Sequence, residues 1–196
     1  MAKNREYVSD VFSMLMEYPE YALNLYNGIN GSDYQDPSEV EICVLEKGIS
    51  LSVRNDASFI IASDLNMYEH QNTYNPNMAI RQLFYLVDVL KKKTKNMDFY
   101  GRKKINIPTP RFAVFYTGKE NRPEKEIFKL SDLFENKMDN PEIELSCVCY
   151  NVVKEKNKEL LNSSSVLQEY VIFIEKVREY KEQGIANYLE EAIEWC

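Results

Sequence analysis

The sequence predicts an α/β fold, a mixed β-sheet with helices on both sides. Three observations point to it. Apolar spacing is helical over the first thirty residues, turns extended over 49–71, and returns to a 3.6-residue period over 76–93. Two later runs, RFAVFYTG and IELSCVCYNVV, are dense in β-branched and aromatic residues and read as buried strands. From about Asn157 onward the pattern is helical again. A chain of 196 residues, 44% hydrophobic and 12% aromatic, is long enough for one well-filled core and too apolar for disorder.

Taken in order, Val11, Met14, Leu15, Tyr18, Ala22, Leu25 and Tyr26 recur every three or four residues, and Pro19 divides this stripe into two short helices. NGINGSDYQDP reads as a turn-rich connector, and Asp36-Pro37 as the capped start of a helix through SEVEICVLEK, stopped by Gly48. Ile49, Leu51 and Val53 alternate with polar residues. With SFIIA and LNMYEH they predict a three-strand antiparallel meander at one edge of the sheet. NPNMAIRQLFYLVDVLKKK follows as a helix starting near Pro76, with Met78, Leu83, Leu86, Val87 and Leu90 as its apolar face. SSSVLQEYVIFIEKVREYKEQ places Leu167, Tyr170, Val171, Ile174 and Val177 on one stripe behind serine caps, and ANYLEEAIEW ends the chain as a short helix.

Composition narrows the chemistry. No apolar run approaches the ~18 residues that cross a bilayer, and the N-terminus lacks a secretory apolar stretch. The expectation is a cytoplasmic protein with no membrane partner. Cys43, Cys147, Cys149 and Cys196 form no C-x-x-C pair beside the single histidine, His70, so a zinc cage is not indicated. No G-x-S-x-G, Walker-type or G-x-G-x-x-G motif occurs. The net charge is −7, but residues 91–111 carry eight Lys/Arg and one Asp, a local +7 that leaves −14 on the rest. Such a segment is either a solvated helix end and loop or a phosphate-contacting strip.

What remains for chemistry is acidic. Asp56 opens the second strand of the meander, while Glu69 and Gln71 share one face of the third and His70 points to the other. If the two strands pair, Asp56 and Glu69 meet at one end of the sheet and offer oxygen ligands of the kind Mg²⁺ or Mn²⁺ takes. Alone, carboxylates thirteen positions apart around a turn describe a solvated surface as readily as a metal site.

The words around them are more specific. VRNDASFII, YEHQ-x-T-x-NPNM followed by R-x-L-F-Y, IPTPRFAVFYTG and FKLSDLF closely resemble the Rpn-type (recombination-promoting nuclease) proteins, also called PD-(D/E)XK nuclease family transposases. The resemblance runs from LNLYNGINGSDY near Leu23 through LQEYVIFIEKVREY. It implies a PD-(D/E)XK nuclease-like mixed β-sheet core over 1–156 and a helical C-terminal segment over 157–196 packed on the same domain. It also implies a Mg²⁺- or Mn²⁺-dependent DNA endonuclease tied to recombination. Position by position, it makes Asp56 and Glu69 the metal-binding carboxylates, with His70 supplying a backbone carbonyl. Gln71 stands at the usual lysine position, and Glu46 is the auxiliary glutamate. Lys91, Lys92, Lys93, Lys95, Arg102, Lys103 and Lys104 are the expected phosphate contacts. Departures are mild: NMAIR stands where NMPLR is common and YEHQNT where YEHQST is. The end at Trp195-Cys196 reads as a C-terminally short member. A second class is a non-catalytic nuclease-fold protein, a phage or mobile-element inhibitor of a host nucleic-acid-processing complex. Its acidic body would dock on a basic groove of a protein partner. Self-association is compatible with either.

Overall fold

The computed structural model describes residues 3–43, 56–153 and 156–195. Its centre is a six-stranded mixed, open sheet in the order β1-β2-β3-β4-β6-β5, formed by β1 (Glu41–Ile42), β2 (Ala57–Ile61), β3 (Asp64–Gln71), β4 (Thr109–Tyr116), β5 (Lys125–Lys129) and β6 (Ser146–Asn151). β1, β2 and β3 pair antiparallel, β3–β4 and β4–β6 pair parallel, and β5 returns antiparallel to β6. The parallel step from β3 to β4 needs a crossover, and helix α3 (Met78–Lys93) provides it.

Helices cover both faces. On one, α1 (Lys3–Met16), α2 (Pro19–Asn30) and α5 (Ser165–Glu182) bury Phe12, Leu25, Tyr170 and Ile174 against Phe59, Tyr68 and Phe115. On the other, α3 lays Met78, Ala79, Tyr85 and Val89 over Leu65, Met67, Val114 and Cys147. α4 (Lys158–Ser163) and α6 (Tyr188–Trp195) complete the C-terminal helices. Because β3 lies inside the sheet with both faces covered, six of its eight residues are buried, the polar ones included.

Pro19 occupies the first position of α2, so the break between α1 and α2 falls where its missing N–H is harmless. Phe12 and Met16 fill the core there, whereas Met14 and Tyr18 of the predicted stripe are exposed. α2 also runs into the start of the segment read as a connector and ends at Asn30, capped by Gly31 with a φ of 62°. Gly28 sits inside that helix because a Cβ there would lie 2.8 Å from Cβ of Ser164. The predicted helix after Asp36 is a correction too. Asp36 does cap, accepting the Ser38 N–H at 2.9 Å, but only a single 3-10 turn forms over Pro37–Glu39 before the chain extends into β1. The predicted first strand, Ile49 to Val53, lies outside the described residues; among those described, Glu41–Ile42 pairs with β2 as the edge strand. β5 has no counterpart in the sequence reading. Its charged, mostly exposed KEIFK is what an edge strand uses to discourage pairing with another chain.

Cys147 and Cys149 are buried on β6, and Cys43, Cys147 and Cys149 are free thiols. No helix among the described residues is long and apolar enough to cross a membrane.

The β2–β3 hairpin turns on Ala62 (φ 48°) and Ser63 (φ 70°), between the paired residues Ile61 and Asp64. Two residues with positive φ match the strand twist, but neither side chain favours that region. Ala62→Asn combined with Ser63→Gly should therefore raise stability by roughly 1 kcal/mol, about 2–4 °C in melting temperature for a chain of this size. Calorimetry of the double variant checks this, and an unchanged or lower midpoint contradicts it.

Candidate functional site

The register Ala57↔Tyr68 sets Asp56 beside Glu69, at the end of β3 where parallel β4 also finishes. Asp56, just before β2, accepts two hydrogen bonds. Ser9 Oγ on α1 donates to Oδ1 at 2.7 Å, and the His70 backbone N–H donates to Oδ2 at 2.8 Å. The carboxylate thus fastens α1 to the end of the central strand. Since N–H and C=O of one strand residue point to the same side, the His70 carbonyl faces the Asp56 side as well.

Glu69 lies on the α3 face, 2% exposed. Its Oε1 accepts from Gln71 Nε2 at 3.1 Å, as same-face neighbours on a strand allow, and from the guanidinium of Arg81. Arg81 is held in turn by Tyr85 one turn further along α3: Nε and Nη2 both donate to the Tyr85 hydroxyl, at 3.2 and 2.9 Å. Glu69 Oε2 is buried and has no hydrogen-bond partner among the described residues, and neither polar atom of the fully buried Gln82 has one.

Burial pushes both carboxyls up, and the Asp56 charge adds to the effect on Glu69, while Arg81, Gln71 and Tyr85 pull Glu69 back. His70 goes the opposite way. Its ring packs between Phe12 and Tyr170, Nε2 shares a 2.7 Å hydrogen bond with Thr117 Oγ1, and burial with the nearby Arg178 holds its pKa down to about 3. The imidazole stays neutral, on the sheet face away from Glu69 and Gln71.

The donor set suits a hard cation. Two carboxylates, a backbone carbonyl and the Gln71 amide oxygen are oxygen ligands, and each ionised carboxylate offers about four acceptor sites, more than the bonds above use. The unpartnered Glu69 Oε2 is a vacant acceptor at that place. Among the described residues no three His, Cys, Asp or Glu side chains converge on one point. Two protein carboxylates with waters and phosphate oxygens is a Mg²⁺ arrangement rather than an all-protein cage. Glu46 lies outside the described residues.

The basic segment stands apart. Lys91, Lys92, Lys95, Arg102, Lys103 and Lys104 are exposed, whereas Lys93 is half-buried and paired with Glu41 at 2.6 Å. Twelve residues of helix separate Arg81 from Lys93, about 18 Å. The loop after α3 enters β4 at Thr109, level with Asp64, five residues or about 17 Å from Glu69. The structure therefore puts the lysines and the carboxylates at opposite ends of the sheet, a reach of about five nucleotide steps at ~3.4 Å each.

Sequence reasoning missed Ser9, Arg81, Gln82 and Tyr85. The face of α3 that meets the sheet is Met78, Ala79, Gln82, Tyr85 and Val89, rotated from the predicted stripe, and Val87 of that stripe is exposed. A signal was present: Arg81 and Tyr85 are four apart, and Gln82 continues the Met78–Ala79 line at helical spacing. No protein-family model, curated protein or solved structure matches this chain.

The raised carboxyls fix the sign of a pH effect. The native protein keeps protons that the unfolded chain releases, so stability falls as pH climbs from the ordinary carboxylate range towards about 6 for Asp56 and about 8 for Glu69. His70, held low, acts only below its unfolded pKa of roughly 6.5, where it opposes this slope. Between about pH 6.5 and 8.5 the metal-free protein should lose melting temperature steadily. Glu69→Gln should flatten the decline, as thermal melts across that window would show.

Proposed function

We propose that this chain is a metal-dependent DNA endonuclease of the PD-(D/E)XK type, hydrolysing phosphodiester bonds. One observation carries the reading: Asp56 and Glu69 stand side by side at the end of the central strands, with a buried Glu69 oxygen left without a partner. The architecture is compatible with it: an antiparallel meander, a crossover helix and a parallel strand build a mixed sheet flanked by helices, the coarse fold that the resemblance implies.

Asp56 and Glu69, with the His70 carbonyl, would hold Mg²⁺ or Mn²⁺. When bound, such an ion lowers the pKa of an attacking water and neutralises charge developing on the phosphate oxygens. Gln71 is neutral, so its amide orients by hydrogen bonding without adding charge. Its bond to Glu69 Oε1 steers that carboxylate. Ser9 keeps Asp56 aimed at the strand end. Neutral His70 wedges the far face and contributes no proton to the reaction. Lys91, Lys95, Arg102, Lys103 and Lys104 engage backbone phosphates several nucleotides from the carboxylates, which aligns the strand along the sheet.

A specific observation favours a second reading, a nuclease-fold binding protein without catalysis. Both Asp56 oxygens are already used to hold α1 and β3, and Glu69 is already paired with Arg81. On that reading the two carboxylates are structural, and the acidic body meets a basic protein partner.

Nicking of supercoiled plasmid separates the two. The endonuclease nicks only with Mg²⁺ or Mn²⁺, and Asp56→Asn and Glu69→Gln abolish it; equal cleavage by wild type and both variants overturns the assignment. Gln71→Ala should lose on the order of 10²-fold, the range for one positioned acid–base or orienting group, and Gln71→Lys should retain activity. Replacing Lys91, Lys95, Arg102, Lys103 and Lys104 with Ala should weaken duplex binding equally on all sequences. It should also flatten the salt dependence, the log–log slope falling by roughly one for each phosphate no longer engaged. Anisotropy titrations at several salt concentrations read this out, and an unaltered slope would return those residues to the solvated surface.

A further inference from the structure

Position 71 is a glutamine, so no charge reaches the site from β3 where a lysine would have placed one. A cation is nevertheless there, delivered from α3. Arg81 reaches across to Glu69, and three features make it more than a structural partner.

Its setting is asymmetric: the Glu69 side chain is 3% exposed and that of Arg81 26%, so Arg81 is the partner that solvent reaches. The ion pair also leaves the carboxylate half-satisfied, since Arg81 meets Oε1 while Oε2 stays buried without a partner. A buried pair kept for stability alone needs its remaining lone pairs filled, because desolvation otherwise outweighs the attraction. Lastly, Arg81 has a second, neutral anchor. Tyr85 Oη accepts from both Nε and Nη2, so the guanidinium stays in place when Glu69 lets go of it. Nη1 meets only the weak acceptor Met78 Sδ at 3.5 Å, and a planar guanidinium matches a phosphate's oxygens better than an ammonium does.

We propose that Arg81 is the phosphate-binding cation of this site, supplied from the crossover helix in place of a lysine at position 71. Without a divalent cation it occupies Glu69. With a cation and a nucleic-acid strand present, it stays on Tyr85 and turns the N–H released from Glu69 to the phosphate. This rests on the nuclease reading above. It makes Arg81 and the divalent cation competitors for Glu69 but partners in holding the strand.

That opposition gives the test. Mn²⁺ is titrated calorimetrically into wild type, Arg81→Met, Arg81→Lys and Glu69→Gln, and plasmid nicking is measured on the same samples. The expected result is that Arg81→Met binds Mn²⁺ at least as tightly as wild type yet nicks slower, on the order of 10²-fold for loss of one charge-stabilising donor. Arg81→Lys should recover part of the rate. A purely structural Arg81 predicts the contrary, with Mn²⁺ affinity and nicking falling together in Arg81→Met and no rescue by lysine. That result, or unaltered nicking in Arg81→Met, overturns the proposal. If Arg81→Met does not fold, Tyr85→Phe takes its place: slower nicking at unchanged Mn²⁺ affinity supports the proposal, and wild-type nicking overturns it. Failure of the nuclease reading looks different. Wild type then binds no Mn²⁺, or Glu69→Gln binds it undiminished, whatever the Arg81 variants do.

Discussion

Glu69 is a carboxylate on an interior strand, and much of the arrangement around it answers the problem it creates. An ionised group in that position is costly unless charge and hydrogen bonds reach it. Arg81 reaches it from above, Gln71 from the same strand, and Asp56 stands alongside with its own ties to Ser9 and the His70 amide. The consequence is structural as well as chemical. α3 carries a polar Arg-Gln-Tyr face onto an otherwise apolar sheet, which sets the rotation of that helix about its axis. Apolar packing by Met78, Ala79 and Val89 fixes its depth.

The opposite face of the sheet has no such conflict. Phe12 and Tyr170 flank the neutral ring of His70, and with Phe59, Tyr68 and Phe115 they form tilted and edge-to-face ring pairs at centroid distances between 5.2 and 6.4 Å. One strand therefore separates two media. On one side lies an aromatic core in which a histidine is held uncharged. On the other lies a charged cluster with unfilled polar valence. The alternation of a β-strand makes this possible within the four letters YEHQ, sending Tyr68 and His70 one way and Glu69 and Gln71 the other.

Much of the architecture was legible where periodicity was strong. The split at Pro19, the SFIIA–LNMYEH hairpin, the apolar strand just before Gly118 and the long C-terminal helix with its stripe from Leu167 to Val177 all follow from residue spacing. The losses have physical causes. Asp36-Pro37 is a sound helix-start signal, but a cap does not dictate length, and Glu41–Ile42 gains more by pairing with β2 than by another helical turn. KEIFK hid because an edge strand carries charges in place of alternating apolar residues. The face of α3 departs from its apolar stripe because polar residues on it turn inward: Gln82 is fully buried and Arg81 turns to Glu69. For the same reason the acidic half of the site was visible in the sequence while its cationic half was not. Two carboxylates on paired strands can be inferred from a turn, whereas the residue that meets them from a covering helix depends on how that helix is rotated.

The hairpin turn at Ala62-Ser63 has a bearing on how the molecule comes together. Asp56, Glu69, Gln71, Arg81 and Tyr85 all lie within thirty consecutive positions, joined by a two-residue turn and a six-residue link into α3. Their mutual contacts are short-range along the chain, so closing them demands little loop entropy. The long-range pairings, β4 with β6 and α5 with α1, enclose the cluster from outside. The polar heart of the protein thus belongs to a local stretch of chain, the kind of contact that topology makes least costly to close. The remainder of the chain packs around that stretch from both faces of the sheet.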